Sequence, residues 1–190
     1  MKVVLGSQSK GRKQMLMEMG YKFEVMSAGI DEKAIRHQDP QQLTMALANA
    51  KADVLLKKIH EPCLLITSDQ VVAWNGQILE KPETPEEARE FLRGYAIHPA
   101  QTVTAVVVVN TQTQQRAQAV DLATVWLKPI PDALIQQFIA EGNVFSWAGG
   151  FGIQDALKYN LVEKLEGTVD SIMGLPKELT TQLLKQVSSM

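Results

Sequence analysis

The stretch TVTAVVVVNTQTQQRAQAVDLATVWL, residues 102–127, decides the fold class. Thr102 to Val109 is a β-branched run, the composition of a strand. The polar Asn110-Thr111-Gln112-Thr113 ends that run, and Val120 to Leu127 returns as its antiparallel partner. A hairpin in the middle of the chain argues against a purely parallel sheet.

The segments before it alternate. Lys2 to Gly6 reads as a short buried strand, followed by the small-residue loop Ser7-Gln8-Ser9-Lys10-Gly11. Met15, Leu16 and Met19 then have helical spacing, and Gly20 suits the end of that helix. Tyr21 to Val25 alternates as a half-buried strand. Leu43, Ala46, Leu47, Ala50, Val54 and Leu55 recur at helical steps. Leu64 to Ala73 reads as a strand with a break at Ser68-Asp69-Gln70. Asn75-Gly76 is a hairpin turn signal with Gln77-Ile78-Leu79 returning. Thr84-Pro85-Glu86-Glu87 opens a helix: Thr84 caps it, Pro85 takes the first position and Glu87 completes a capping box. Beyond the central hairpin, Pro131 begins a helix that ends near Gly142. Ala148 to Gly152 is a glycine-rich turn, Asn160 to Leu165 a strand, and Pro176 to Val187 a closing amphipathic helix. This alternation predicts an α/β or mixed α+β fold. With 190 residues and no repeat, low-complexity tract or linker, the chain reads as one domain, 1–190.

Composition narrows the class. A hydrophobic fraction of 45% supports a core without disulfides. The one cysteine, Cys63, lies in an apolar run and reads as a buried inert thiol, which fits a reducing, cytoplasmic setting. No apolar stretch approaches the roughly 20 residues of a membrane helix, and the early charge at Lys2 with no long apolar stretch after it argues against a secretory signal. A net charge of -2 argues against a nucleic-acid polymer as partner. An anionic ligand would need a local cluster of cations.

Four places offer such chemistry. The loop after the first strand combines a helix N-terminus, the Ser7 and Ser9 hydroxyls, and Lys10, Arg12 and Lys13, which together suit a phosphate. It is not a Walker loop. Asp69 is a carboxylate between apolar runs, costly to bury unless paired or metal-bound. Lys81, in Glu80-Lys81-Pro82, can present an ammonium to phosphate. Glu32 is a hard oxygen ligand suited to Mg²⁺, and Lys51 lies near the apolar face of its helix, pointing inward or snorkelling. Each has a plainer reading as a solvated or turn residue. His37, His60 and His98 lack zinc spacing, no Gly-x-Ser-x-Gly elbow exists, and Trp74, Trp126 and Trp147 suit packing better than base stacking.

In combination these segments resemble the Maf proteins along nearly the whole chain. Leu5-Gly6-Ser7-Gln8-Ser9-Lys10-Gly11-Arg12 resembles that family's Leu-Ala-Ser-x-Ser-Pro-Arg-Arg signature. Ala48 to Ala52 is similar to its Ala-x-x-Lys-Ala helix, and Ser68 to Val72 to its Ala-Asp-Thr-Val-Val strand. Glu80-Lys81-Pro82 followed by Glu87-Ala88, Ala148 to Gln154, and Gly167 with Met173-Gly174-Leu175-Pro176 resemble three further motifs, in order. The resemblance implies two lobes around a central curved mixed sheet with the site in a cleft, as in the inosine triphosphate pyrophosphatases. It implies hydrolysis of a nucleoside triphosphate to monophosphate and pyrophosphate, often by a homodimer. Ser7, Ser9, Arg12 and Lys13 would hold phosphate, Lys51 and Lys81 would neutralise it, Glu32 and Asp69 would bind Mg²⁺ or Mn²⁺, Asp69 would activate water, and Gln154 would help close the site. A housecleaning role on dTTP-like, UTP-like or methylated-base nucleotides follows from the same likeness. The chain departs from the pattern at Gly11, Gln70 and Trp147, which motivates a second reading, a nucleotide-binding regulator of cell division with little catalysis.

Overall fold

The computed structural model describes residues 1–188. Strand β1 (Lys2–Leu5) pairs in parallel with β2 (Phe23–Val25) and with β3 (Cys63–Trp74). At its far end β3 folds back antiparallel onto β4 (Gln77–Leu79). The turn between them, Asn75-Gly76, has φ of 47° and 75°. Two successive positive φ values are what a tight hairpin with the native strand twist requires. Strands β5 (Ala100–Asn110) and β6 (Arg116–Leu127) follow, and β6 pairs antiparallel with β7 (Val162–Glu166). The strand order is β2-β1-β3-β5-β6-β7, with β4 on β3. The sheet is therefore mixed, as the central hairpin predicts.

The helices are α1 (Lys10–Glu18), α2 (Pro40–Leu56), α3 (Pro85–Gly94), α4 (Asp132–Glu141), α5 (Ile153–Lys158), α6 (Val169–Ile172) and α7 (Lys177–Ser188). Three differences from the sequence reading have physical causes. β3 is unbroken through Ser68-Asp69-Gln70. The Ser68 hydroxyl donates to the Gly174 carbonyl, Asp69 meets Lys51, and the Gln70 amide donates to Thr104 Oγ1 and the Ser171 carbonyl. With each polar side chain partnered, the backbone stays in the sheet. Helices α5 and α6 span six and four residues, too short to show a period. At the start of α3, Thr84 Oγ1 accepts from the Glu87 N–H, but the Glu87 carboxylate accepts from the N–H of Glu83 rather than of Thr84. The capping box is thus displaced by one residue.

The chain forms two compact units. The first comprises Met1–Gln70, Thr104–Asp121 and the segment from Asp170 onward; the second comprises Val71–Val103 and Leu122–Val169. In the first unit the strand period of two sorts side chains to two faces. Val3, Leu5, Leu64, Ile66, Val106 and Val108 pack with Met15 and Leu16 of α1 and Leu183, Leu184 and Val187 of α7. Val4, Leu65, Ala105 and Val107 pack with Ala48, Ala52 and Leu55 of α2, together with the buried Cys63. In the second unit Tyr95 is fully buried; its hydroxyl donates to the Gly149 carbonyl at 2.7 Å and its ring meets Phe151 edge-on. Among the described residues no helix is long and apolar enough to cross a membrane.

Candidate functional site

One hydrogen bond registers the two elements that carry the charged centre. Thr67 Oγ1 on β3 donates to the Ala48 carbonyl on α2 at 2.8 Å. Lys51 is one turn further along α2, and Asp69 is the next residue on the same face of β3. Their side chains meet: Lys51 Nζ lies 2.5 Å from Asp69 Oδ1. The same ammonium lies 3.0 Å from Glu32 Oε1. Glu32 opens a 3₁₀ turn, Glu32–Ala34, that Asp31 caps by accepting the Lys33 N–H. Lys51 and Asp69 are buried while Glu32 is exposed. Lys51 thus points inward, and its contacts are two carboxylates.

Arg12 is the second cation here, and it is half-buried. It projects from α1, whose N-cap is Ser9. Its Nε donates to the Gly174 carbonyl at 3.0 Å, and its Nη1 donates to the Ser68 carbonyl at 2.8 Å and to Ser7 Oγ at 3.3 Å. Three neutral acceptors fix the guanidinium without discharging it. Burial lowers the Arg12 pKa, with the charges of Asp69 and Glu32 pulling the other way. Burial likewise pushes the Asp69 carboxyl above the usual aspartate range, opposed by Lys51 and Arg12. An aspartate so raised is a stronger base than an ordinary one.

The other residues singled out from sequence fall as follows. Ser7 is buried and its Oγ accepts from the Ser9 N–H as well as from Arg12. The Ser9 hydroxyl accepts from the Arg12 N–H at 3.4 Å, a helix-capping contact. Lys13, on α1, donates to Gln8 in the loop before it. Lys10 is exposed. In the second unit, Lys81 and Gln154 are both exposed, and Trp147 packs against Gly152, where an added Cβ would sit 2.7 Å from its ring. The three departures have structural counterparts. A Cβ on Gly11 would come within 2.8 Å of the Met173 carbonyl, so a larger residue does not fit there. Gln70 ties β3 to Thr104 and Ser171. Trp147 lines an apolar pocket with Leu92, Phe138 and Phe151.

Sequence reasoning placed Ser68 and Gly174 in motifs but assigned neither a role in the site. Both Ser68 Oγ and Arg12 Nε donate to the one Gly174 carbonyl. No local signal marks a backbone acceptor so far along the chain. The positive φ of Gly174, 89°, orients that carbonyl.

A divalent ion fits the donors present. An ammonium already lies between Glu32 and Asp69, so two hard oxygen donors converge on a cationic position. Mg²⁺ and Mn²⁺ accept one or two carboxylates and fill their remaining positions with water and phosphate. Among the described residues no group of three or more His, Cys, Asp or Glu could form an all-protein cage.

The Maf-like protein family matches residues 2–187. The chain belongs to that family. A 7-methyl-GTP pyrophosphatase of Dictyostelium discoideum is 47% identical over 193 residues, covering 98% of this chain and 97% of its own. A dTTP/UTP pyrophosphatase of Vibrio vulnificus (strain YJ016) is 33% identical, covering 97% of this chain and 98% of its own. A solved nucleoside-triphosphatase / dITP/XTP pyrophosphatase from Mycobacterium abscessus overlaps 69% of this chain and 76% of its own, at a TM-score of 0.42 and 15% identity. That overlap is too loose to bear on the function of this Maf-like chain.

Proposed function

We propose that this Maf-like protein hydrolyses nucleoside triphosphates to the monophosphate and pyrophosphate, in a housecleaning role on methylated or otherwise non-standard nucleotides. The observation that carries this reading is the meeting of Asp69, Lys51 and Glu32, with Arg12 fixed nearby. The full-length identity to named pyrophosphatases supports it. The higher identity to a 7-methyl-GTP enzyme favours a methylated purine over dTTP or UTP as the preferred base. A nucleotide-binding regulator with little catalysis is the less favoured reading, since the full-length relatives carry the names of pyrophosphatases.

A triphosphate repels an incoming nucleophile, and fixed cations offset that repulsion as charge moves to the leaving group. Arg12, held by three acceptors, provides a positive charge that needs no reorganisation. Asp69 accepts the proton of the attacking water. The new bond forms between that oxygen and the α phosphorus, the bond from the α phosphorus to the bridging oxygen breaks, and pyrophosphate leaves with the electron pair. Lys51 offers its ammonium to the phosphates, and the family resemblance assigns a second ammonium, Lys81, to the same task and Gln154 to substrate contact. Mg²⁺ or Mn²⁺, held by Glu32 and Asp69, would supply further charge neutralisation when bound. A homodimer in the cytoplasm is the setting the resemblance suggests.

Hydrolysis in water enriched with heavy oxygen tests the point of attack. Label is expected in the monophosphate alone. Label in pyrophosphate would place the attack on the β phosphorus and refute this mechanism.

A further inference from the structure

Lys51 stands where a metal bound by Glu32 and Asp69 would have to sit. Its ammonium touches both carboxylates, at 3.0 and 2.5 Å. The two partners differ in burial. Asp69 is fixed on a central strand at 5% exposure, whereas the Glu32 side chain is 56% exposed on a single 3₁₀ turn. The two cations differ as well. Arg12 is pinned by two backbone carbonyls and a hydroxyl, on three different segments of the chain. Lys51 is held by two carboxylates, through a charged hydrogen bond to Asp69 and an ion pair with Glu32, at the end of a four-carbon stem with several rotatable bonds. A buried carboxylate left unpaired is costly, so the ammonium leaves Asp69 only if another cation arrives. A divalent ion arriving alone would leave the ammonium in turn facing that ion at close range, with no anion to receive it.

We propose that Lys51 is a built-in counter-cation that keeps the two carboxylates from binding a divalent ion until a polyphosphate is present. This rests on the reading of Glu32 and Asp69 as metal ligands given above. The phosphates give the ammonium replacement oxygens, Lys51 turns from the carboxylates to them, and the freed carboxylates take the ion. Metal and triphosphate binding are then coupled through one side chain, and the coupling is reciprocal. The free enzyme is thereby spared from holding metal without substrate.

The test is Mn²⁺ binding in the absence of nucleotide, read from the spectrum of the free ion, for the wild type, Lys51→Met, and Lys51→Met with Asp69→Asn. Weak binding by the wild type, at least ten-fold tighter binding by Lys51→Met, and loss of that gain in the double variant are expected. A folded Lys51→Met protein that binds Mn²⁺ no better than the wild type would overturn the proposal. Should Lys51→Met fail to fold, the wild type answers by nuclear magnetic resonance of its lysine ammonium groups. Mg²⁺ alone is expected to leave the Lys51 signal in place, and a shift on adding Mg²⁺ alone would overturn the proposal. Wild-type turnover with and without Mn²⁺ separates the two readings. Metal-dependent turnover with no gain in Lys51→Met removes the counter-cation and keeps the metal site; metal-independent turnover removes both.

Discussion

At 5% exposure, Asp69 is held out of water beside two cations, and both its basicity and its position follow from that. Replacing it by Asn keeps the shape and removes the base. Turnover is expected to fall by about 10²–10⁴-fold, the usual worth of a general base, while circular dichroism stays unchanged. The pH dependence follows from the direction of its shift. Burial raises the folded-state pKa, so the native protein holds the proton more tightly than the unfolded chain. Stability from this group is therefore present below the ordinary aspartate range and is lost as pH rises through the raised value. Activity runs the other way, because the base must be ionised. The acid limb of kcat/KM is expected above the ordinary aspartate range, and a limb at or below it would contradict the assignment. The sequence exposed Asp69 as an expensive carboxylate between apolar runs. It did not expose its partner, because an inward and a snorkelling Lys51 have the same helical spacing.

At the scale of elements, the turn at 171–174 positions the guanidinium. Gly174 takes φ of 89° and offers its carbonyl to Arg12 and Ser68. Gly174→Ala is expected to cost about 1–2 kcal/mol, the penalty for a left-handed L-residue, measured by denaturant unfolding. Gly11→Ala brings a methyl against the Met173 carbonyl and is expected to destabilise by about 1–3 kcal/mol through overpacking. An unchanged midpoint in Gly11→Ala would contradict the close packing of α1 on this turn. Elements with a strong local signal were legible from sequence: α2 by its period, the β5 run by its composition, the Asn75-Gly76 hairpin and the Thr84 cap by their turn and cap residues. The break expected in β3 was not there, because hydrogen bonds to residues around position 171 and beyond satisfy its polar side chains. Such partners have no local signature.

At the scale of the molecule, β3, β5 and β6 each contribute residues to both units, so neither unit is a continuous stretch of chain. The central hairpin announced the mixed sheet, and the order of motifs announced the family. Ligand binding is expected to raise the melting temperature of the whole protein, by mass action on the native state. The central claim is catalytic, and pyrophosphate release from 7-methyl-GTP, dTTP, UTP and the other common triphosphates, with Mg²⁺ or Mn²⁺ and Asp69→Asn alongside, tests it most directly. Turnover led by 7-methyl-GTP and lost in the variant is the predicted result; no turnover of any triphosphate by a folded protein that nucleotide still stabilises would contradict it.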